Sequence, residues 1–126
     1  IGLAANQVGL DLRILVVDPQ AGSSREGFRA LVNPRLVETF GEPVDMEEGC
    51  LSFPDLRELV TRADGVAMEY QDEQGEPQRV RTTGLLSRVL QHEYDHLEGK
   101  TILDRISSVR RLLLTKRLRE LRKAGV

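Results

Sequence analysis

The sequence predicts a single α+β domain, with antiparallel β-sheets packed around a central helix that carries an HExxH pattern, and a second helix at the C-terminus. Three observations point there. Apolar and polar residues alternate with period two in several stretches before Gly84, the spacing turns helical at Gly84, and no linker, repeat or low-complexity tract divides the 126 residues. A chain of this length can bury a core without disulfides or other staples.

Leu12 to Val17 is almost continuously aliphatic and stops at Asp18-Pro19, which predicts a buried strand followed by a turn. Gly22-Ser23-Ser24 marks a loop. Ala30-Leu31-Val32 runs into Asn33-Pro34, and Leu36 to Phe40 alternates up to Gly41-Glu42-Pro43, so two more short strands are expected. Leu59 to Arg62, Val66 to Tyr70 and Arg79 to Thr82 also alternate, with Asp72-Glu73-Gln74-Gly75 as a hairpin connection. From Gly84, Leu85, Leu86, Val89, Leu90, His92, Glu93, His96 and Leu97 recur at helical spacing, and Gly99 stands where a left-handed cap closes a helix. A last helix is predicted from Ser107 or Ser108 to about Lys123, with Val109, Leu112, Leu113, Thr115, Leu118 and Leu121 among its less polar positions.

Charged residues form 30% of the chain, yet the net charge is only −2, so no global field demands nucleic acid, a membrane surface or an acidic partner. Sequence-specific nucleic-acid binding is not expected. Cys50 is the single cysteine, which excludes an internal disulfide and suits a reducing compartment such as cytoplasm. No apolar run reaches the roughly 20 residues of a membrane span, and the first residues lack the basic start of a signal peptide. Because Ile1 opens inside a motif, a natural N-terminal segment is expected to precede this single domain, 1–126.

His92-Glu93-Tyr94-Asp95-His96 places two imidazoles four residues apart on one helix, where they lie one above the other and can meet one metal ion. Glu93, the next position round the helix, can reach a water in an open coordination position. Coincidental packing is the bland alternative, but both histidines of the chain fall in this pentad. A catalytic site of this kind needs a third protein ligand. Glu98 would point about 200° round the helix from His96 and fails on geometry. Two candidates remain. Glu120 would give the His, His, Glu set of a thermolysin-like zinc protease, while Cys50, in Glu48-Gly49-Cys50-Leu51-Ser52, would give Cys, His, His. Taken alone, Cys50 reads more readily as a small buried hydrophobe than as a ligand.

Three segments together resemble the peptide deformylase family. Ile1-Gly2-Leu3-Ala4-Ala5-Asn6-Gln7 looks like its first motif without the leading glycine, Glu48 to Ser52 matches its EGCΦS motif, and Gln91 to His96 matches its QHExDH motif. The resemblance implies hydrolysis of the N-formyl group from formylmethionyl nascent chains, releasing formate. It makes Cys50, His92 and His96 the metal ligands and Glu93 the general base and acid. Gln7 and the backbone N–H of Leu51 would stabilise the oxyanion. Fe(II) is the metal it favours, with Zn(II), Ni(II) or Co(II) as substitutes. Ile1, Gly2 and Gly49 would flank the peptide by strand addition. Met46, Leu85, Val89 and the ring of His92 are candidate walls for the methionine side chain, although plain core packing explains them as well. Asp95 would pair with Arg62 as a brace for the ligand helix. Arg88 departs from an often apolar family position and is expected to narrow the pocket or reach its rim. The basic final helix, with Arg110, Arg111, Lys116, Arg117, Arg119, Arg122 and Lys123 against Glu120, reads as a solvated face or as a surface for docking to the ribosome. The family implies a bacterial cytoplasm or an organelle. A metal-stabilised but non-catalytic binder of nascent chains is the reading from another class, and Gln7 and Glu93 argue against it, since a structural site requires neither.

Overall fold

The computed structural model describes residues 2–4, 13–18, 29–50 and 53–100, with 105, 108, 109, 112, 113, 116 and 119. These residues form five strands and a helix: β1 Gly2–Ala4, β2 Ile14–Val17, β3 Arg29–Cys50, β4 Phe53–Gln71, β5 Pro77–Thr83 and α1 Gly84–Leu97. The strands make one antiparallel sheet in the order β1-β2-β3-β4-β5, each beside its neighbour in sequence.

Where two short strands were expected around Asn33-Pro34, the sheet contains one of 22 residues, and β4 likewise joins the two alternating segments on either side of Asp64-Gly65. The reason lies in how the breakers are accommodated. Asn33 has φ 48° and Gly41 has φ 82°, and the register with β4 shifts between Val32 and Arg35 and between Phe40 and Pro43. Pro34 lies within the first shift, and Pro43, paired with Ala63, borders the second, so the strand bends there and continues.

The hairpin between β4 and β5 is held by Asp72, whose Oδ1 accepts from the backbone N–H of Gln74 and of Glu76, both at 2.9 Å. At the far end of α1, Lys100 N–H donates to Asp95 O at 2.8 Å and Gly99 N–H to His96 O at 3.0 Å, with Gly99 at φ 77°. This is a Schellman closure, and it uses Gly99 as the left-handed residue.

The core lies between α1 and the sheet. Ala4, Leu15, Val17, Leu31, Val66, Met68 and Leu90 are buried together, with Val89, Leu86, Tyr94 and Leu97 packed against them from the helix. Each fully buried Leu, Val or Met there contributes about 1.5–3 kcal/mol. Strand β1 crosses α1 so closely that a Cβ on Gly2 would stand 2.6 Å from Val89 Cγ1 and 2.9 Å from Glu93 Cγ. Ser108, Val109, Leu112, Leu113, Lys116 and Arg119 are helical and exposed, which agrees with the predicted last helix; Leu118 and Leu121 lie outside the described residues. Among the described residues, no helix is long and apolar enough to cross a membrane.

Candidate metal centre

One turn of α1 brings His92 and His96 onto the same face, with their Nε2 atoms 3.1 Å apart and their rings edge to face at 73°. Two imidazoles holding one ion at 2.0–2.1 Å would set their nitrogens roughly 3.3 Å apart. Burial depresses His96 to a pKa of about 4, so this ring stays neutral near pH 7 and keeps a lone pair for a cation. Glu93 is buried beside them, its Oε1 3.7 Å from His92 Nε2. Burial pushes the Glu93 carboxyl up, against the opposing pull of His92 and a backbone hydrogen bond from Ala4. Its Oε2 is buried without a hydrogen-bond partner among the described residues. One ligand atom from each of His92, Glu93 and His96 lies within 4.8 Å of the others, so a cation fits this donor set and an ordered polar molecule beside it would satisfy the orphaned oxygen.

The rings are aimed from below by a charged cluster. Glu48, near the end of β3, is buried, and its Oε1 lies 2.7 Å from His92 Nδ1. Arg62 of β4 donates from Nε and Nη2 to the same carboxylate at 2.7 and 2.9 Å, and from Nη1 to Asp95 Oδ2 at 2.8 Å. Arg105 adds a fork to Asp95, at 2.9 and 2.6 Å. Burial alone would raise both carboxyls, yet the hydrogen bonds from His92, Arg62 and Arg88 outweigh it at Glu48 and bring the pKa to about 2. Arg105 and Arg62 likewise hold Asp95 low. Both acids are therefore anions near pH 7, and Arg62 links the brace of His92 to the helix itself.

Among the residues singled out from the sequence, the structure joins Arg62 to Asp95 and gathers His92, Glu93 and His96. Cys50 is the last residue of β3, opposite Phe53 and two residues after Glu48, while its side chain lies outside the described residues. Gly49 stands in β3 opposite Arg57, and Gly2 in β1 packs on Val89 and Glu93. Val89 is half-buried against the core, whereas Leu85 and Met46 are 44% and 37% exposed. Ile1, Gln7, Leu51 and Glu120 lie outside the described residues. Glu98 turns away to an exposed ion pair with Arg13 at 2.8 Å.

Arg88 does not stand at an exposed rim; it is buried towards the sheet, donating to Glu48 Oε2 at 2.7 Å and to the backbone oxygens of Val60 and Val44 at 2.9 and 2.6 Å. Its Cα sits four residues before His92, on the side where the anionic Glu48 and open strand carbonyls offer partners that an apolar pocket does not. Glu48 and Arg105 were missed as functional residues. For Glu48 a signal existed, since an acid two positions before a candidate ligand on a strand shares its face; the sequence around Arg105 carries none.

An antiparallel sheet buttressing a helix on which two imidazoles and a buried carboxyl converge defines a protein of the metallohydrolase class. Within that class, the chain belongs to the polypeptide deformylase family, whose sequence model matches residues 1–112. The peptide deformylase of Salinibacter ruber is 45% identical over 130 residues, covering 96% of this chain and 67% of that protein. Peptide deformylase 2 of Xanthomonas campestris is 42% identical over 123 residues, with 98% and 71% covered. A solved structure, the peptide deformylase of Synechococcus elongatus in complex with actinonin, superposes with a TM-score of 0.85 at 40% identity, over 95% of this chain and 64% of that one. The chain thus spans about two thirds of the length of such relatives.

Proposed function

We propose that this chain is the catalytic part of an enzyme that hydrolyses the N-formyl group from formylmethionyl N-termini, releasing formate. The observation that carries the reading is Glu93, a buried carboxyl with a raised pKa and one unpartnered oxygen, set against two converging imidazole nitrogens. In this reading Cys50, His92 and His96 hold the ion. Iron(II) is favoured, and zinc, nickel or cobalt also suit one thiolate and two imidazoles. When bound, the cation supplies Lewis acidity, which makes water acidic enough to lose a proton near neutral pH. Glu93 would take that proton, freeing hydroxide to attack the formyl carbon, and would return it to the departing amine. Gln7 and the Leu51 N–H donate to the oxyanion. Ile1, Gly2 and Gly49 pair with the extended peptide backbone, and Met46, Leu85 and Val89 offer apolar surface to its methionine. Arg62 and Asp95 hold the ligand helix in place.

Lys116 and Arg119, exposed on the last helix, support contact with the ribosomal surface, and the single cysteine suits a bacterial cytoplasm or organelle. Anaerobically prepared, metal-loaded protein is to be incubated with a formyl-Met peptide and its acetyl counterpart. Formate is expected from the first alone, and Glu93→Ala should abolish it with the metal retained. Cleavage inside an unformylated peptide would overturn the reading.

A further inference from the structure

The Glu48 carboxylate is saturated. Oε1 takes His92 Nδ1 at 2.7 Å and Arg62 Nη2 at 2.9 Å, while Oε2 takes Arg62 Nε at 2.7 Å and Arg88 Nη1 at 2.7 Å. An ionised carboxylate has about four lone-pair sites, and here four nitrogens fill them. With permanently protonated guanidiniums on it, Glu48 has no proton to give, so His92 must donate from Nδ1 and present the lone pair of Nε2 to the metal side. Arg62 forks onto both oxygens and is itself tied to Asp95 of the helix, which leaves one lone pair of Oε2 open. Arg88 fills that site and ties the carboxylate to the strands, because its own guanidinium also donates to Val60 O of β4 and Val44 O of β3 at 2.9 and 2.6 Å. All three contacts lie on the sheet side of α1, one turn before His92.

We propose that Arg88 is a positioning residue of the metal centre: by locking Glu48 to the backbones of β3 and β4, it fixes the tautomer and direction of the His92 ring and so tightens metal binding. The proposal rests on the metal-centre reading above. Partners of a metal-bound histidine typically change metal affinity about 10- to 100-fold when lost, and Arg88 stands one hydrogen bond further out. A loss near tenfold is therefore expected.

The test is Co(II) titration of metal-free protein against a competing chelator, read as a dissociation constant and as the d–d absorption of the bound ion. Arg88→Met should weaken Co(II) about tenfold and shift the d–d bands while circular dichroism stays native. In a Glu48→Gln background the same substitution should bring no further loss, since Arg88 acts through Glu48. Unchanged affinity and bands in a folded Arg88→Met protein overturn the proposal alone, as does an equal loss in the Glu48→Gln background, which would make Arg88 a mere pin between helix and sheet. If Arg88→Met does not fold, Arg88→Gln, which keeps a donor for the strand carbonyls, carries the same comparison. A wild-type protein that takes up no Co(II) sinks the metal-centre reading itself, and Arg88 with it.

Discussion

Glu93 is subject to two opposed influences, burial that favours its neutral form and the nearby imidazole that favours its anion, and burial prevails. A carboxyl so placed exchanges a proton more readily near neutral pH than an exposed one does. Glu93→Gln, which keeps the shape and loses the proton carrier, should lower kcat about 100- to 10,000-fold with stoichiometric metal still bound, measured by formate release and metal analysis. Gly2 tests the roof over the same group. An added methyl would press into Val89, whose branched side chain is stiff, and into the Glu93 stem, so Gly2→Ala should destabilise by about 1–3 kcal/mol in urea unfolding and reduce kcat as well. His92 and His96 were legible in the sequence because i and i+4 on a helix lie on one face, and Glu93 followed as the next position round the helix. Glu48 and Arg88 form their contact across 40 residues, and no local periodicity encodes which strand an arginine will reach.

The strands β3 and β4 explain how elements rather than single residues set the site. Read locally, Asn33-Pro34 and Gly41-Glu42-Pro43 are stops, and only pairing with a long neighbour turns them into bulges, which is why the two strands read as four pieces in the sequence. Helix α1 was legible end to end, because its apolar spacing and its closing Gly99 are both local signals. Within the β3–β4 pair, Phe40 lies directly across from Gly65, its ring filling the space a side chain would need, and Arg81 of β5 stacks on that ring 3.8 Å from its centre. Gly65→Ala should expel the ring, weaken the three-strand register and lower stability by about 1–3 kcal/mol. Denaturant unfolding would register that loss. Co(II) affinity should stay unchanged, since Phe40 touches neither the helix ligands nor their braces; a matching fall in affinity would mean that the register reaches the metal centre.

At the scale of the molecule, one charged cluster ties three elements together beneath the core. Glu48 comes from β3, Arg62 from β4, and Arg88 and Asp95 from α1, with Arg105 following the helix. Such a cluster makes stability depend on pH in a direction that its geometry fixes. The folded state holds Glu48 at about 2 against an ordinary value of 4.5, so the unfolded chain binds a proton more readily than the folded one between those values. This contribution is fully present above pH 4.5 and is lost as the pH falls towards 2. The shift is worth on the order of 3 kcal/mol. Asp95, also held low, adds to the loss in the same direction. Urea unfolding of the metal-free protein should therefore give a free energy that drops across this acid window. Glu48→Gln should start lower at neutral pH, because Arg62 and Arg88 then face a buried neutral partner, and should lose less on acidification. If the two proteins fell in parallel, the acid sensitivity would reside in exposed carboxylates, and the Glu48 cluster would hold strands and helix together by packing alone.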